Sequence, residues 1–498
     1  MNAVLDHPIQ HDGLGALRDK HLFRELGYVD GRWVAGEKAE TFSILDPATG
    51  QRLARVASLG EAETALAIDA AVKAFPSWRN KLPQERSAVL RRWFELITAH
   101  REDLALLMTL EQGKPLAESR GEIDYGASFI EWFAEEAKRL NGETIASHLQ
   151  NAEMLVRREA LGVVALVTPW NFPHAMITRK AAAAIAAGCP VVVHPSSETP
   201  LSALALAELA ERAGMPAGIF NVVTGKAASI VDVLCRDERV RGLSFTGSTE
   251  IGKLIATKSA NTMKRLVMEL GGHAPLIIFD DAEVERAVDV AMAAKFATSG
   301  QDCLAANRIF VQRGILKSFT EAFATRIAGL KVGNGLDPAS DLGPLMHSRA
   351  VAKVEEQVLD AKQRGARIVT GGNRLGEAGL FFEPTLLIDV PDDAAIMREE
   401  TFGPVAAVMA FDDEDEVVAR ANATQYGLVA YVVTANGARQ LRMGRVLEYG
   451  MVAINRAKIT GAPIPFGGWK QSGLGREGSH QGIEAFTELK YLCIDTAA

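Results

Sequence analysis

The spacing of apolar residues divides the chain into stretches of different character. Along residues 60–140, apolar positions recur at intervals of three and four, as in "EAETALAIDAAVKAF", "AVLRRWFELITAH" and "EWFAEEAKRL". This period is typical of amphipathic helices, which bury one face against another layer. The first third of the chain therefore predicts a helical layer that needs a sheet to cover.

Four strand-turn-helix units follow. The strands are the continuous apolar runs "VVALVTP", "PVVVHP", "IFNVV" and "GLSF", and each precedes a helical pattern. Continuous apolar runs indicate parallel strands that are buried on both faces. The alternation predicts a doubly wound α/β domain, with ligands at the carboxyl ends of its strands.

The same alternation restarts after "LVMELGG", from "APLIIF" to "MVAIN". It predicts a second doubly wound α/β domain, with the boundary near Gly271 and Gly272. The segment "GETIASHLQNAEMLVRREALG" predicts a β-hairpin, and neither it nor the tail from about residue 481 fits either domain. Such segments often make subunit contacts. The fold class is therefore α/β, with two such domains and a small β-hairpin and tail element.

Composition and charge exclude several classes of protein. The 498 residues are 48% hydrophobic and 23% charged, which is typical of a globular chain. A net charge of -8 gives no general attraction to nucleic acid or to an anionic membrane, and no apolar run is long enough to cross a bilayer. The first 15 residues lack a signal-peptide pattern, and the four cysteines have no metal-binding spacing. We expect a cytoplasmic protein with free thiols and no metal, nucleic-acid or membrane partner.

Two glycine-containing motifs differ in their context. The only literal GxGxxG, residues 473–478, has no strand before it, and we interpret it as a surface loop. "FTGSTEIG", residues 245–252, lies between an apolar run and a helical pattern, so the helix N-terminus could hold a pyrophosphate. An ordinary helix capped by serine or threonine explains that motif equally well.

Three residues are candidates for nucleophilic chemistry. Cys303, in "SGQDCLAANR", follows a glycine and two polar residues, although a lone cysteine is most often a small buried side chain. Glu269 ends an apolar strand, where a carboxylate is costly unless it is paired or acts as a base. Asn171, in "TPWNFP", could donate to an oxyanion, or could belong to a proline-rich turn.

Together these segments resemble the aldehyde dehydrogenase superfamily over nearly the whole chain. The signatures are "TPWNFP", "FTGSTEIG", "MELGG", "GQDC", "EETFGPV" and "PFGGWKQSGLGREG", in the family's order. Within the superfamily, "AMITRKAAAAIAAG" and "GIFNVVTG" are most similar to the succinate semialdehyde dehydrogenases. The resemblance implies a dinucleotide-binding domain of residues 1–142 and 162–270, a catalytic domain of 271–480, and an oligomerisation element of 143–161 and 481–498.

The resemblance also implies a role for each matching residue. Cys303 attacks the aldehyde, Asn171 and the Cys303 N–H stabilise the oxyanion, and Glu269 activates water against the thioester. Lys180 and Glu477 match positions that relay the proton outward. The family's contacts to NAD or NADP fall at Thr168, Pro169, Trp170, His194, Ser196, Ser197, Gly225, Phe245, Thr246, Gly247, Ser248, Leu270, Glu400 and Phe402.

Two departures concern the cofactor. His194 stands where the family usually has a lysine, and Ser197 stands where many NAD-preferring members have a glutamate. Serine at position 197 lacks the negative charge that would repel the 2'-phosphate of NADP. Histidine at position 194 lacks the fixed positive charge of a lysine, which would attract that phosphate. We expect both NAD and NADP to bind, and NADP affinity to rise at lower pH as the histidine becomes charged.

The substrate pocket departs as well. The resemblance implies two arginines and a serine for the substrate carboxylate; here Arg179 is the only matching arginine, Ala297 replaces the other, and Thr460 replaces the serine. Arg456 or Lys458 is a candidate for the missing charge. The remaining matched substrate residues are Gln301 and Phe466.

These residues predict the oxidation of succinate semialdehyde, with glutarate semialdehyde or a neutral or aromatic aldehyde as alternatives. A thiol esterase that uses Cys303 and Glu269 is the rival enzyme class, and a non-catalytic structural member is a third possibility. The resemblance implies a homodimer or homotetramer.

Overall fold

The computed structural model describes residues 12–376 and 379–497. The start of the chain, on which the expectation about export depends, lies mostly outside these ranges. None of the helices in the described ranges is both long and apolar enough to cross a membrane.

Helices and strands alternate over most of the chain. The helices are α1 (Glu61–Arg79), α2 (Pro83–Ala99), α3 (Arg101–Gln112), α4 (Leu116–Glu136), α5 (Ala175–Ala187), α6 (Pro200–Arg212), α7 (Ala227–Arg236), α8 (Thr249–Ser259), α9 (Val284–Phe296), α10 (Leu316–Ala328), α11 (Ser348–Gln363), α12 (Glu414–Asn422), α13 (Gly437–Val446) and α14 (Ser479–Glu484). The strands are β1 (Gly27–Val29), β2 (Arg32–Val34), β3 (Thr41–Leu45), β4 (Arg52–Ala57), β5 (Glu143–Ile145), β6 (Ala152–Ala160), β7 (Val163–Val167), β8 (Val191–His194), β9 (Phe220–Val222), β10 (Val240–Thr246), β11 (Arg265–Glu269), β12 (Ala274–Ile278), β13 (Ala306–Gln312), β14 (Arg367–Thr370), β15 (Arg374–Leu375), β16 (Phe381–Phe382), β17 (Thr385–Ile388), β18 (Val405–Phe411), β19 (Val429–Val433), β20 (Met451–Ile454), β21 (Gly473–Leu474) and β22 (Thr487–Asp495).

The first sheet has the order β2-β1-β9-β8-β7-β10-β11-β21. Its five central strands are parallel, and the chain order reverses between β7 and β10. This is the doubly wound arrangement predicted from the four strand-turn-helix units, which are confirmed. A ligand is expected at that reversal, outside the carboxyl ends of β7 and β10.

The second sheet has the order β14-β17-β18-β13-β12-β19-β20 and is parallel apart from β14. The chain leaves the first sheet at Glu269 and enters the second at Ala274, on either side of Gly271 and Gly272. The predicted α/β class with two such sheets is confirmed, while the exact division into domains stays a prediction.

The hairpin and the tail form a third sheet, β22-β6-β5, in which β22 pairs along the whole of β6. The interpretation of residues 473–478 as a surface loop was wrong. Residues Gly473 and Leu474 form β21, which pairs with β11 at the edge of the first sheet. A Cβ at Gly473 would lie 2.1 Å from the Met268 carbonyl oxygen, so this close pairing requires glycine.

Helix α5 lies between the first sheet and the helical layer of α2 and α4. All 13 of its residues are buried, and seven of them are alanines, which allow close approach on every side. Arg179 and Lys180 share this buried helix, and a buried cation is stable only when it is paired. Their partners define one side of the site described below.

Candidate active site

A cavity of about 620 Å³ separates the two large sheets. On one side are residues that follow the carboxyl ends of β7 and β10; on the other are residues that precede the amino ends of β12, β13 and β18. The cavity therefore adjoins the carboxyl ends of the first sheet, where a ligand is expected. The second sheet faces the cavity with the amino ends of its strands, because the segments that precede β12, β13 and β18 line the cavity.

Cys303 lies on this cavity wall, half-buried, between α9 and β13. The turn before it is strained: Thr298 and Ser299 have φ of +49° and +55°. Side-chain contacts hold the strained turn, because Glu118 accepts from the Thr298 N–H at 3.0 Å and Ser299 donates to the Gly343 carbonyl at 2.8 Å. The surrounding structure thus fixes the thiol at the cavity.

The Cys303 thiol is not activated by its surroundings in this state. Burial raises its pKa well above the usual value, and the charges of Asp302 and Glu400 raise it further, with Arg179 opposing. Because the thiolate is the nucleophile, a base must accept the proton when the thiol reacts.

Asn171 is held at both its side chain and its backbone. Its Nδ2 donates to the Gln301 carbonyl at 3.1 Å, and its own carbonyl accepts from Lys114 Nζ at 2.7 Å. Lys114 forms an ion pair of 2.6 Å with Glu122, and both side chains are 1% exposed. Glu122 in turn accepts from the N–H groups of His174 and Ala175 where α5 begins. A buried charged network therefore fixes the turn that carries the amide.

Behind the cavity lies a buried cluster of four charged groups. Glu477 forms ion pairs with both Lys180 and Arg179. Its Oε2 lies 2.5 Å from Arg179 Nε, but these two atoms are not aligned for a hydrogen bond. Lys180 also donates to Thr246 Oγ1 at 2.6 Å. Burial alone would raise the pKa of Glu477, but the Arg179 and Lys180 charges hold it below its usual value.

Glu269 belongs to this cluster and is 2% exposed, yet neither of its oxygens has a hydrogen-bond partner within the described ranges. Burial raises its pKa well above the usual value, and the Glu477 charge adds to that increase. A raised pKa makes this carboxylate a stronger proton acceptor than an ordinary glutamate.

The opposite end of the cavity carries groups suited to a dinucleotide. Helix α8 begins here with Ser248 as its N-cap, and the Trp170 ring stands 5.5 Å from Phe402, edge to face. Glu400 accepts from the Gly272 N–H at 3.0 Å, and burial raises its pKa to about 7. A second cavity, of about 840 Å³, adjoins the first at His347.

Two expectations about the cofactor are corrected. His194 is 2% exposed, and its Nδ1 donates to the Val223 carbonyl at 2.9 Å. Burial lowers its pKa, which disfavours the charged form that would attract NADP. The negative charge absent at Ser197 is present one residue later, because Glu198 accepts from the hydroxyls of both Ser196 and Ser197. An exposed cation, Lys226, lines the same second cavity.

The structure brings most of the predicted residues together. The main cavity is lined by Pro169, Trp170, Asn171, Arg179, Thr246, Gly247, Ser248, Leu270, Cys303, Glu400, Phe402, Lys458, Thr460 and Phe466. The second cavity is lined by Ser197 and Gly225. The predicted residues on neither wall are Thr168, Lys180, His194, Ser196, Phe245, Glu269, Gln301, Arg456 and Glu477.

Three placements bear on the substrate. Arg179 lines the cavity but already pairs with Glu477, which the sequence did not indicate. The side chain of Gln301 is occupied, since it donates to the Pro344 carbonyl at 3.2 Å and accepts from the Met346 N–H at 2.9 Å. Of the two candidate cations in one loop, Lys458 lines the cavity and Arg456 does not.

Sequence reasoning missed several polar residues of the site. Glu118, Glu122 and Tyr125 line the cavity from α4, and Asp302 lines it directly before the cysteine. The spacing of 118, 122 and 125 places three polar groups on one face of a helix, which is a detectable signal. Lys114 gave no such signal, because it lies in the turn before α4, and its partners Glu122 and Asn171 are 8 and 57 residues away.

Comparisons with known proteins agree with this geometry. The chain matches the model described as "Aldehyde dehydrogenase family" over residues 33–492. A Halomonas elongata protein named aspartate-semialdehyde dehydrogenase (non-phosphorylating) is 54% identical, over 96% of this chain and 97% of its own. The Escherichia coli succinate-semialdehyde dehydrogenase named with NADP(+) is 51% identical, over 96% and 99%. The crystal structure of succinate-semialdehyde dehydrogenase from Burkholderia pseudomallei has a TM-score of 0.96 and 49% identity, and covers 97% of this chain and 100% of its own.

Proposed function

This chain belongs to the aldehyde dehydrogenase family, and from that premise we propose that it oxidises a small semialdehyde acid, such as succinate semialdehyde, with NAD or NADP. The observation that carries the proposal is one cavity that holds a cysteine thiol, an amide donor and four cationic side chains, among them Arg179 and Lys458. The aspartate and succinate semialdehydes named for two relatives share a carboxylate and differ by one ammonium group.

The thiol and the amide suit attack on an aldehyde carbon. Cys303 Sγ forms the bond to that carbon, and the carbonyl oxygen becomes an oxyanion. Asn171 Nδ2 carries two N–H groups. One donates to the Gln301 carbonyl, and the other is available to donate to the oxyanion. The Cys303 N–H is the second donor that we assign.

The groove beside the thiol fits a dinucleotide by the chemistry of its groups. The free N–H groups that begin α8 suit a pyrophosphate, the Glu400 carboxylate suits ribose hydroxyls, and Phe402 and Trp170 offer aromatic faces. In addition, Thr168 Oγ1 is buried at this edge without a hydrogen-bond partner in the described ranges. When bound, NAD or NADP supplies the hydride acceptor for the oxidation.

Glu269 is the residue that we assign as base for hydrolysis of the thioester on Cys303. Its carboxyl has no hydrogen-bond partner among the described residues, and its raised pKa makes it a stronger base than an ordinary glutamate. It does not line the cavity, so its side chain must change conformation to reach a water there. Lys180 and Glu477 adjoin it and offer the proton a route away from the cavity.

The third sheet supports a homo-oligomer, dimer or tetramer. Both faces of β22 are largely exposed, with Leu489 63%, Tyr491 53% and Ile494 42% exposed. Large apolar side chains on a thin, three-stranded sheet favour a partner surface. This assignment, the predicted domain limits and a cytoplasmic location remain part of the proposal.

The experiment compares kcat/KM for succinate semialdehyde, glutarate semialdehyde, butanal and benzaldehyde with saturating NAD and NADP. Wild type is set beside Lys458→Ala and the matched control Arg456→Ala, which removes a cation from the same loop outside the cavity wall. We expect the semialdehyde acids to be preferred, and Lys458→Ala alone to reduce that preference about 10-fold, the size of one charged hydrogen bond.

Equal rates with butanal, unchanged in both variants, would contradict the semialdehyde-acid assignment. Hydrolysis of p-nitrophenyl acetate without oxidation of any aldehyde would instead indicate the thiol esterase.

A further inference from the structure

Asp302 is an acidic side chain in the wall of the aldehyde cavity, one residue before the nucleophile. Its Oδ1 accepts from the Leu304 N–H at 3.0 Å, which fixes the carboxylate beside the thiol. Among the described residues, no lysine, arginine or histidine forms an ion pair with it. The carboxylate is therefore held beside the thiol without an ion pair, and the charges of Lys114 and Arg179 offset the effect of burial on its pKa only in part.

Glu118 is a second carboxylate on the same wall. Both of its oxygens face the Thr298 N–H, at 3.0 and 3.2 Å, and within the described ranges it too has no ion-pair partner. Burial raises the pKa of Glu118 and the Asp302 charge adds to the increase, while burial also raises the pKa of Asp302. Burial disfavours the charged form of both carboxyls, so a cation in the cavity would lower both pKa values and stabilise the carboxylates.

Four lysine and arginine side chains line the cavity. Arg179 is offset by Glu477, and Lys353 donates to the Glu400 carbonyl. Arg349 and Lys458 are exposed and form no ion pair among the described residues, and Lys458 shares its loop with Thr460, which also lines the cavity. A plain semialdehyde acid gains from Lys458 at its carboxylate but gains nothing from Asp302. An acid that also carries an ammonium group would satisfy both.

We propose that Asp302 makes this enzyme selective for semialdehyde acids that carry an ammonium group, the semialdehydes of amino acids, over the same acids without it. The inference rests on the proposed function, since it concerns the same cavity and the same reaction. Asp302 receives the ammonium group, with Glu118 adding to the negative potential, and Lys458 receives the carboxylate.

The test uses two aldehydes that differ only in the ammonium group, succinate semialdehyde and its 2-amino derivative. Their ratio of kcat/KM is measured in wild type, Asp302→Asn and Glu118→Gln. We expect wild type to prefer the amino compound by about 10-fold or more, Asp302→Asn to remove most of that preference, and Glu118→Gln to reduce it less. A general loss of activity cancels in the ratio.

For variants whose kcat/KM is too low to measure, binding of unreactive analogues is measured instead. The unreactive alcohols 4-hydroxybutanoate and 2-amino-4-hydroxybutanoate are titrated as protectants of Cys303 against alkylation by iodoacetamide. In wild type, 2-amino-4-hydroxybutanoate should protect Cys303 at a concentration about 10-fold lower than 4-hydroxybutanoate does. In Asp302→Asn, the two protecting concentrations should become similar.

A wild-type ratio of one or below, or a preference that Asp302→Asn leaves unchanged, would overturn the role of Asp302. Failure of the proposed function is a distinct result, because both acids would then be oxidised no better than butanal. If both acids exceed butanal but the ratio does not respond to Asp302, the inference alone is wrong.

Discussion

Replacement of Glu477 by glutamine tests the buried charge cluster behind the cavity. Glutamine keeps the shape of the side chain but leaves Arg179 and Lys180 without their anion. Removal of one partner from a buried ion pair costs about 3–5 kcal/mol of unfolding free energy. Since Lys180 keeps its hydrogen bond to Thr246 at 2.6 Å, we expect a loss near the lower end, about 3 kcal/mol.

The pH dependence has a definite sign. The pKa of Glu477 is lower in the folded protein than usual, so its stabilisation is complete above the unfolded-state pKa of about 4.3 and is lost only as pH falls through the lowered value. Because the Glu477 charge also raises the pKa of Glu269, its removal lets Glu269 ionise more readily at the upper end of this range and partly replace the lost anion. The difference between wild type and Glu477→Gln should therefore not shrink as pH falls from 8 to 5. Urea unfolding followed by the fluorescence of the six tryptophans measures it.

Glu448→Gln is the matched control, because Glu448 pairs with Lys470 at 2.6 Å with its side chain 54% exposed. An exposed pair contributes about 0–1 kcal/mol. The reasoning is refuted if Glu477→Gln loses no more than this control, or if its loss shrinks between pH 7 and pH 5.

Two further predictions follow from the site. Lys114→Met should lower kcat by about 10- to 100-fold with little change in KM, because the turn that carries Asn171 loses its anchor. Lys114→Arg should recover part of the loss in steady-state kinetics, and equal losses in both variants would speak against a positioning role. Since His194 is buried with a lowered pKa, the Kd for NADP should be flat between pH 6 and pH 8 in a fluorescence titration of NADPH and NADP; tighter binding toward pH 6 that disappears in His194→Ala would contradict this.

Local pattern accounts for the parts of the fold that repeat. The four strand-turn-helix units from β7 to α8 were predictable, as was the passage between the sheets at Gly271 and Gly272. Continuous apolar runs and glycines determine the structure of the segment in which they lie, so their effect can be inferred from the sequence alone. The position of Glu269 at the end of β11 followed from the same pattern. The antiparallel edges were not predictable: β21 joins β11 from about 200 residues away, and only tertiary packing specifies that pairing.

The state of each charged residue was harder to predict than its location. His194 is neutral because tertiary packing buries it, and Arg179 is partnered because Glu477 reaches α5 from the far end of the chain. The charge at Asp302 was visible in the sequence, but its place on the cavity wall required the structure. The type of a residue indicates which chemistry is possible. Its burial and its ion-pair partners determine whether its side chain is charged and whether that charge is available to a ligand.

The central claim is that Cys303 carries the acyl group and that Glu269 is needed to release it. The most direct measurement is the intact mass of Glu269→Gln after one turnover with succinate semialdehyde or its 2-amino derivative and NAD or NADP, with peptide mapping of the adduct. The account predicts one acyl adduct, on Cys303, formed with a burst of reduced cofactor and absent in Cys303→Ala. Sustained turnover at the wild-type rate without an adduct, or an adduct that persists in Cys303→Ala, would contradict it.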